Sequence, residues 1–162
     1  EWNTRNYLAL STKSRDKLDV EMYFDDIHVT PAETPASQAP VVLRLDPGQA
    51  TLTGKAKSAA NPNFLGEPCI QGPGSASWAL PDVPAGTYLL WARLDADTEI
   101  GEVKANQAAV AKGIRGKVIN WCALGQIRHP GGPLRLQLDG LNAQSRVGRL
   151  VLTNVPSEAP TE

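Results

Sequence analysis

Apolar positions along this chain come in short runs, each cut off by Gly, Pro, Asn or Asp. The clearest is Leu134-Arg-Leu-Gln-Leu138, where the three leucines alternate with Arg135 and Gln137. Alternation with a period of two places the leucines on one face of a strand and the polar pair on the other. Similar runs cover Val41 to Leu45, Ala50 to Leu52, Ala76 to Leu80, Thr87 to Leu94, Gly101 to Ala105, Val118 to Leu124 and Arg146 to Thr153. Turn signals lie between them: Asp46-Pro-Gly48, Pro84-Ala-Gly86, Asn106-Gln107, Gly113 to Gly116, Pro130-Gly-Gly-Pro133 and Asp139 to Ser145. This cadence predicts an all-β sandwich. One stretch, Ala105 to Lys112, reads equally as a short helical turn, and no window carries the sustained 3.6-residue period of a long helix. Tyr88 to Leu94 is almost continuously apolar, which predicts that Trp91 packs in the core.

Ahead of this region, Tyr7 to Thr12 and Val20 to Val29 read as two strands joined by the charged Lys13 to Lys17. A lone hairpin is marginal in water, so this arm needs a packing partner. Pro31 to Pro40 contains Pro, Ala and small polar residues, the composition of a semi-extended linker. The expected organisation is therefore a strand pair or the tail of a preceding sandwich at 1–30, a linker at 31–40, a jelly-roll module at 41–154 and a flexible tail at 155–162.

Charge removes some partners from consideration. With 16 Lys and Arg against 17 Asp and Glu, spread along 162 residues, there is no concentrated basic footprint for nucleic acid. No apolar run approaches the length of a membrane-spanning helix. The chain starts at Glu1 without a leader, the expectation for a processed product or a fragment. Cys69 and Cys122 leave two states open, one disulfide or two free thiols.

Several segments together resemble the carbohydrate-binding modules of the family 6 and family 35 type, over about residues 41–154. They are Gly74-Ser-Ala-Ser-Trp-Ala-Leu80, Val83-Pro-Ala-Gly-Thr-Tyr-Leu-Leu-Trp-Ala-Arg93, Asn120-Trp-Cys-Ala-Leu-Gly-Gln-Ile127, Gly131 to Leu138 and Arg149-Leu-Val-Leu-Thr153. The resemblance implies a galactose-binding-like jelly roll appended to a secreted polysaccharide-degrading enzyme, hence an extracellular, periplasmic or cell-surface location. Such modules hold a structural calcium ion between acidic residues of the opening strand and an aspartate ahead of the closing one. Here Asp46 is present, but Gly148 stands at the aspartate's place. Calcium takes six to eight oxygen ligands, so the loss argues against the metal, and no cofactor is expected. The segment Met22 to Thr30 resembles the last strand of a lectin-like or laminin-G-like sandwich.

Sugar recognition combines an aromatic face, laid against the C–H surface of a pyranose, with amides and carboxylates for its hydroxyls. Trp121 is the favoured aromatic, with Asn120 beside it as an amide donor. The resemblance adds Asn142 and, with it, Gln144, in the loop where such modules present an asparagine to the sugar. Trp78, after a Gly-Pro-Gly-Ser turn, and Phe64, in the loop Asn61 to Gly66, are further aromatic candidates. Each of these has a plainer reading as core packing or a solvated turn. The carboxylates Asp95, Asp97, Glu99 and Glu102 read as a solvated, charge-rich loop.

Catalysis has no motif to rest on. His28 and His129 lack metal-ligand spacing, and neither a Gly-x-Ser-x-Gly elbow nor a phosphate-cradling loop occurs. The expected function is non-catalytic binding of a polysaccharide or oligosaccharide. The alternative is an assembly subunit that uses the sandwich and its N-terminal arm for contacts with other protein subunits.

Overall fold

The computed structural model describes residues 39–155 and 160; the expected N-terminal strand pair, Trp2 and most of the linker lie outside them. Eleven strands follow in order: β1 (Val42–Leu45), β2 (Thr51–Gly54), β3 (Lys57–Ala60), β4 (Pro68–Gln71), β5 (Gly74–Val83), β6 (Gly86–Leu94), β7 (Glu99–Ala105), β8 (Ala108–Arg115), β9 (Asn120–His129), β10 (Gly132–Leu141) and β11 (Arg146–Thr153). Single 3-10 turns occupy Pro47–Gln49 and Pro62–Phe64. Among the described residues, no helix is long and apolar enough to cross a membrane.

The strands form an all-β jelly-roll sandwich of two antiparallel sheets. The first runs β3-β4-β11-β6-β9, with β1 also pairing β11, and the second runs β2-β5-β10-β7-β8. Between them lie Leu90, Leu94, Leu124, Leu134, Leu136, Leu138, Leu150 and Leu152, all essentially inaccessible. The alternation read from Leu134 to Leu138 is the inward face of β10. Tyr88 is also fully buried, and its hydroxyl donates to the Pro84 carbonyl at 2.7 Å, tying β6 to the turn that precedes it.

Three expectations change. The ambiguous Ala105 to Lys112 contains no helix: it is the end of β7, a two-residue turn and the first part of β8, with Asn106 and Gln107 of the turn both at positive φ (47° and 70°). Positive φ at both central residues matches the right-handed twist of flanking strands, and Asn tolerates it better than most residues. Trp91 is not in the core. On β6 the inward positions are Tyr88, Leu90, Ala92 and Leu94, so Leu89, Trp91 and Arg93 face outward, and Trp91 is half-buried there. Asp95 is buried rather than solvated, accepting from Asn63 Nδ2 at 2.8 Å and from the Ala96 amide at 2.7 Å.

The cysteines are free thiols. Cys69 on β4 and Cys122 on β9 are separated in the first sheet by β11 and β6. Three strand spacings amount to ~14 Å, twice what a disulfide spans between Cα atoms.

Candidate functional site

The outward face of the first sheet gathers an unusual set of side chains. Arg44 on β1 is in register with Val151 on β11, Val151 with Trp91 on β6, and Trp91 with Ala123 on β9. One pair further along, Arg93 is opposite Trp121. These rows open into a groove of about 300 Å³ lined by Arg44, Arg93, Arg149, Glu67, Trp121 and Val151, with Leu65 at its rim. Val151 is 2% exposed and forms the floor.

The loop between β3 and β4 builds one wall. Asn61 caps its 3-10 turn by accepting from the Asn63 amide at 2.9 Å, and Leu65 closes the turn at φ 56°. Asn63 ties the loop across to Asp95. Phe64 is buried at 1% exposure outside the core cluster, and the Arg93 guanidinium lies over its ring at 5.6 Å from the centroid. A cation over an aromatic face is attracted to the ring quadrupole, so Phe64 positions Arg93 from beneath. Glu67, at the end of the loop, holds Arg149 at 3.3 Å.

A second, mainly polar depression of about 420 Å³ is formed by the loops after β6, β8 and β10, lined by Asp97, Glu99, Arg115, Gly116, Asn142 and Gln144. Its floor is braced by buried Thr98 and Ser145: Thr98 Oγ1 donates to the Arg146 carbonyl at 2.9 Å and Ser145 Oγ to the Glu99 carbonyl at 2.6 Å.

The sequence candidates are therefore divided. Trp121 lines the groove, half-buried; its Nε1 is buried without a partner among the described residues, so the indole offers ring surface rather than a donor. Asn142 and Gln144 line the polar depression. The Asn142 oxygen already accepts from the Gln144 amide at 2.9 Å, with Ser145 Oγ also 2.9 Å away, and its Nδ2 donates to Glu99 at 3.0 Å. That leaves one N–H for a ligand. Asn120 is exposed and lines neither, its oxygen accepting from the Trp121 amide at 2.8 Å.

Trp78 and Phe64 do not serve as aromatic platforms. Trp78 is 3% exposed in the core cluster, with Nε1 donating to the Asp46 carbonyl at 2.9 Å, and Phe64 lies beneath Arg93. The three arginines of the groove were not singled out in the sequence. The available signal was Arg44, Arg93 and Arg149 at outward positions of three strands, which becomes visible only once β1, β6 and β11 are known to be neighbours.

The calcium implied by the resemblance does not fit these residues. Asp46 caps the first 3-10 turn, accepting from the Gly48 amide at 2.7 Å. At Gly148 a Cβ would come within 2.8 Å of Phe64 Cε1, so the ring occupies the space into which an aspartate would project. Among the described residues, no three His, Cys, Asp or Glu side chains cluster closely enough to hold a metal.

No protein-family model matches the chain, and no curated protein does. Solved structures share its fold. The Podospora anserina GH26-CBM35 β-(1,4)-mannanase aligns over 72% of this chain at a TM-score of 0.57 and 18% identity, and the chain spans only 28% of that protein. The CBM36-1 domain of a multidomain xylanase from the hindgut metagenome of Trinervitermes trinervoides aligns over 72% of this chain and 100% of its own, at 0.56 and 13% identity. The CBM35 from Cellvibrio japonicus Abf62 aligns over 75% of this chain and 99% of its own, at 0.52 and 18% identity. At these identities the likeness is one of fold.

Proposed function

We propose that this chain is a non-catalytic carbohydrate-binding module of an exported or cell-surface protein, holding it against a polysaccharide. The observation that carries the reading is Trp121, set in a preformed groove on a rigid sheet face. An aromatic ring at a groove wall covers the apolar side of a pyranose, and neighbouring charged and amide groups order its hydroxyls. The polar depression a few residues away, with Gln144 exposed at its edge, extends the same end of the molecule toward further sugar units. Fold likeness to carbohydrate-binding modules supports the reading without carrying it, because one fold serves many functions. No nucleophile, acid/base pair or metal is required of the protein in this role.

Calorimetry and intrinsic tryptophan fluorescence against a panel of soluble polysaccharides test it. The expected result is saturable binding that Trp121→Ala weakens at least ten-fold while circular dichroism stays unchanged. Absence of heat and of spectral change across the panel would reject sugar binding in favour of assembly with protein subunits.

A further inference from the structure

Pro160 lies well beyond β11, which ends at Thr153, yet it lines the groove on the first sheet beside Trp121, Arg44, Leu65 and Val151, and it is half-buried. Val151 faces away from the core and is still only 2% exposed, so this part of the outward face is covered. From these observations we propose that the groove is the seat of the chain's own C-terminal segment, Ser157-Glu-Ala-Pro-Thr-Glu162, with Pro160 against Trp121 and the acidic side chains toward Arg44. Any other ligand of the groove then has to displace that segment. The inference goes beyond the carbohydrate reading and does not need it, because the contact it claims is made within one chain.

Segment and groove match in charge. From Val155 to Glu162 the sequence has two carboxylates, Glu158 and Glu162, and no Lys or Arg. Each is two residues from Pro160, within ~7 Å of it along an extended chain. Arg149 is already held by Glu67 at 3.3 Å, whereas Arg44 is exposed and has no ion-pair partner among the described residues. Its planar fork suits a carboxylate. The apolar part of the contact comes from the proline ring, a rigid surface of the kind that aromatic-lined grooves take from proline-containing peptides. Its fixed φ also leaves less freedom to lose on docking. Length is no obstacle. Arg44 and Val151 are one outward row back from Val42 and Thr153, ~7 Å along the strands, and the chain from Thr153 to Pro160 extends to ~20 Å. A tether this short gives an effective concentration on the order of 1 mM, so a contact with an intrinsic Kd of about 1 mM fills the seat roughly half the time. A free ligand binds more weakly in proportion to the fraction left open.

The test follows the tryptophan indole N–H resonances by NMR, with that of Trp121 assigned by Trp121→Phe. Three chains are compared: the whole 162-residue chain, the same chain with Pro160→Gly, and a chain cut after Val155. The cut spares the last bonds of the sandwich, which join Asn154 to Val41. Truncation and Pro160→Gly should both move the Trp121 resonance, in the same direction. The Trp78 resonance, from a core indole bonded to the Asp46 carbonyl, should stay in place. Added salt and Arg44→Gln should each carry the whole chain's Trp121 resonance toward its position in the cut chain, because both weaken the carboxylate–arginine attraction. Millimolar peptide Ser-Glu-Ala-Pro-Thr-Glu added to the cut chain should return it, saturably, toward its position in the whole chain. A Trp121 resonance that stands at one place in all three chains would overturn the proposal. So would a shift that neither salt, Arg44→Gln nor the peptide alters. If the cut disturbs the sandwich and moves Trp78 as well, Pro160→Gly decides: movement of Trp121 alone supports the seat, and no movement overturns it. No polysaccharide enters the experiment, so its failure and that of the carbohydrate reading are separate results.

Discussion

Phe64 does several jobs from one buried position: it fills the loop between β3 and β4, it carries the Arg93 guanidinium, and it takes the space beside Gly148. The last of these makes glycine a steric requirement. Gly148→Ala would push a methyl group against the ring at 2.8 Å and the Arg93 carbonyl at 3.3 Å, and overpacking of this kind costs ~1–3 kcal/mol. Thermal denaturation should show that loss. The double variant with Phe64→Ala should be less destabilised than the sum of the two single changes, because contacting sites are not additive. The same crowding leaves no room at Gly148 for the aspartate that a calcium site of the resembled modules would use. Addition of a chelator is expected to leave the melting temperature unmoved, and a drop of several degrees would contradict it. At this scale the sequence was partly legible. Trp121 and Asn142 were picked out as candidates and line the groove and the polar depression, but nothing adjacent in the sequence distinguishes a buried Phe64 from an exposed one, since a loop has no alternation to show its direction.

Among elements, the outward face of the second sheet shows what charge contributes between strands. Lys104 on β7 lies between Glu102, at 3.0 Å, and Asp139 on β10, at 2.9 Å, while Lys112 on β8 reaches Glu102 at 3.3 Å. Hydrogen bonds from Lys104 and Lys112 lower the Glu102 pKa. Burial works to raise that of Asp139, but donors from Gln137, Lys104 and Ser75 outweigh it, and the net shift is downward. A carboxylate whose folded pKa lies below its unfolded value stabilises the fold above the unfolded value, near pH 4, and that contribution is lost as pH falls through the folded pKa. Lys104 is shifted upward, chiefly by Asp139, so its contribution is present below the unfolded value and is lost only as strongly alkaline pH is reached. Acid unfolding should therefore begin below about pH 4. Lys104→Met should flatten the dependence of melting temperature on pH between 5 and 3; an unchanged slope would show that the two carboxylate contacts of Lys104 carry no linkage. Element reading from sequence succeeded where one face is buried and the other wet, as in β10. It failed for Trp91 because β6 is central in its sheet and both of its faces are apolar, so inward Leu90 and outward Trp91 look alike. Strands β3 and β4 went unread because Lys57-Ser-Ala-Ala60 and Pro68-Cys-Ile-Gln71 are too short and mixed to show a period.

For the whole molecule, the thiols offer a simple check on the sheet order. Burial raises the pKa of both Cys69 and Cys122, which suppresses thiolate at neutral pH. A thiol reagent should label both residues only after denaturation or slowly, and reductant should leave stability unchanged. A stabilised oxidised form would contradict the placement of β4 and β9 at a distance of three strands. The jelly-roll architecture was legible from turn cadence and motif resemblance, whereas the groove was not, because it is assembled from β1, β6, β9, β11 and a loop that are remote in sequence.

The pairing of the first strand with the last has a mechanical consequence. Val42 is opposite Thr153, and just outside them the Val41 amide donates to Asn154 Oδ1 at 2.7 Å. The polypeptide thus enters and leaves the sandwich at one pole, while the loops after β6, β8 and β10 crown the other. Traction that separates the two ends would act on β1 and β11 like the slider of a zip, breaking their hydrogen bonds one after another from Val42 inward. Traction between a ligand seated on the sheet face and a tether at either end would instead load many of those bonds at once. The same fold is therefore weak as a link within a stretched chain and strong as a terminal anchor.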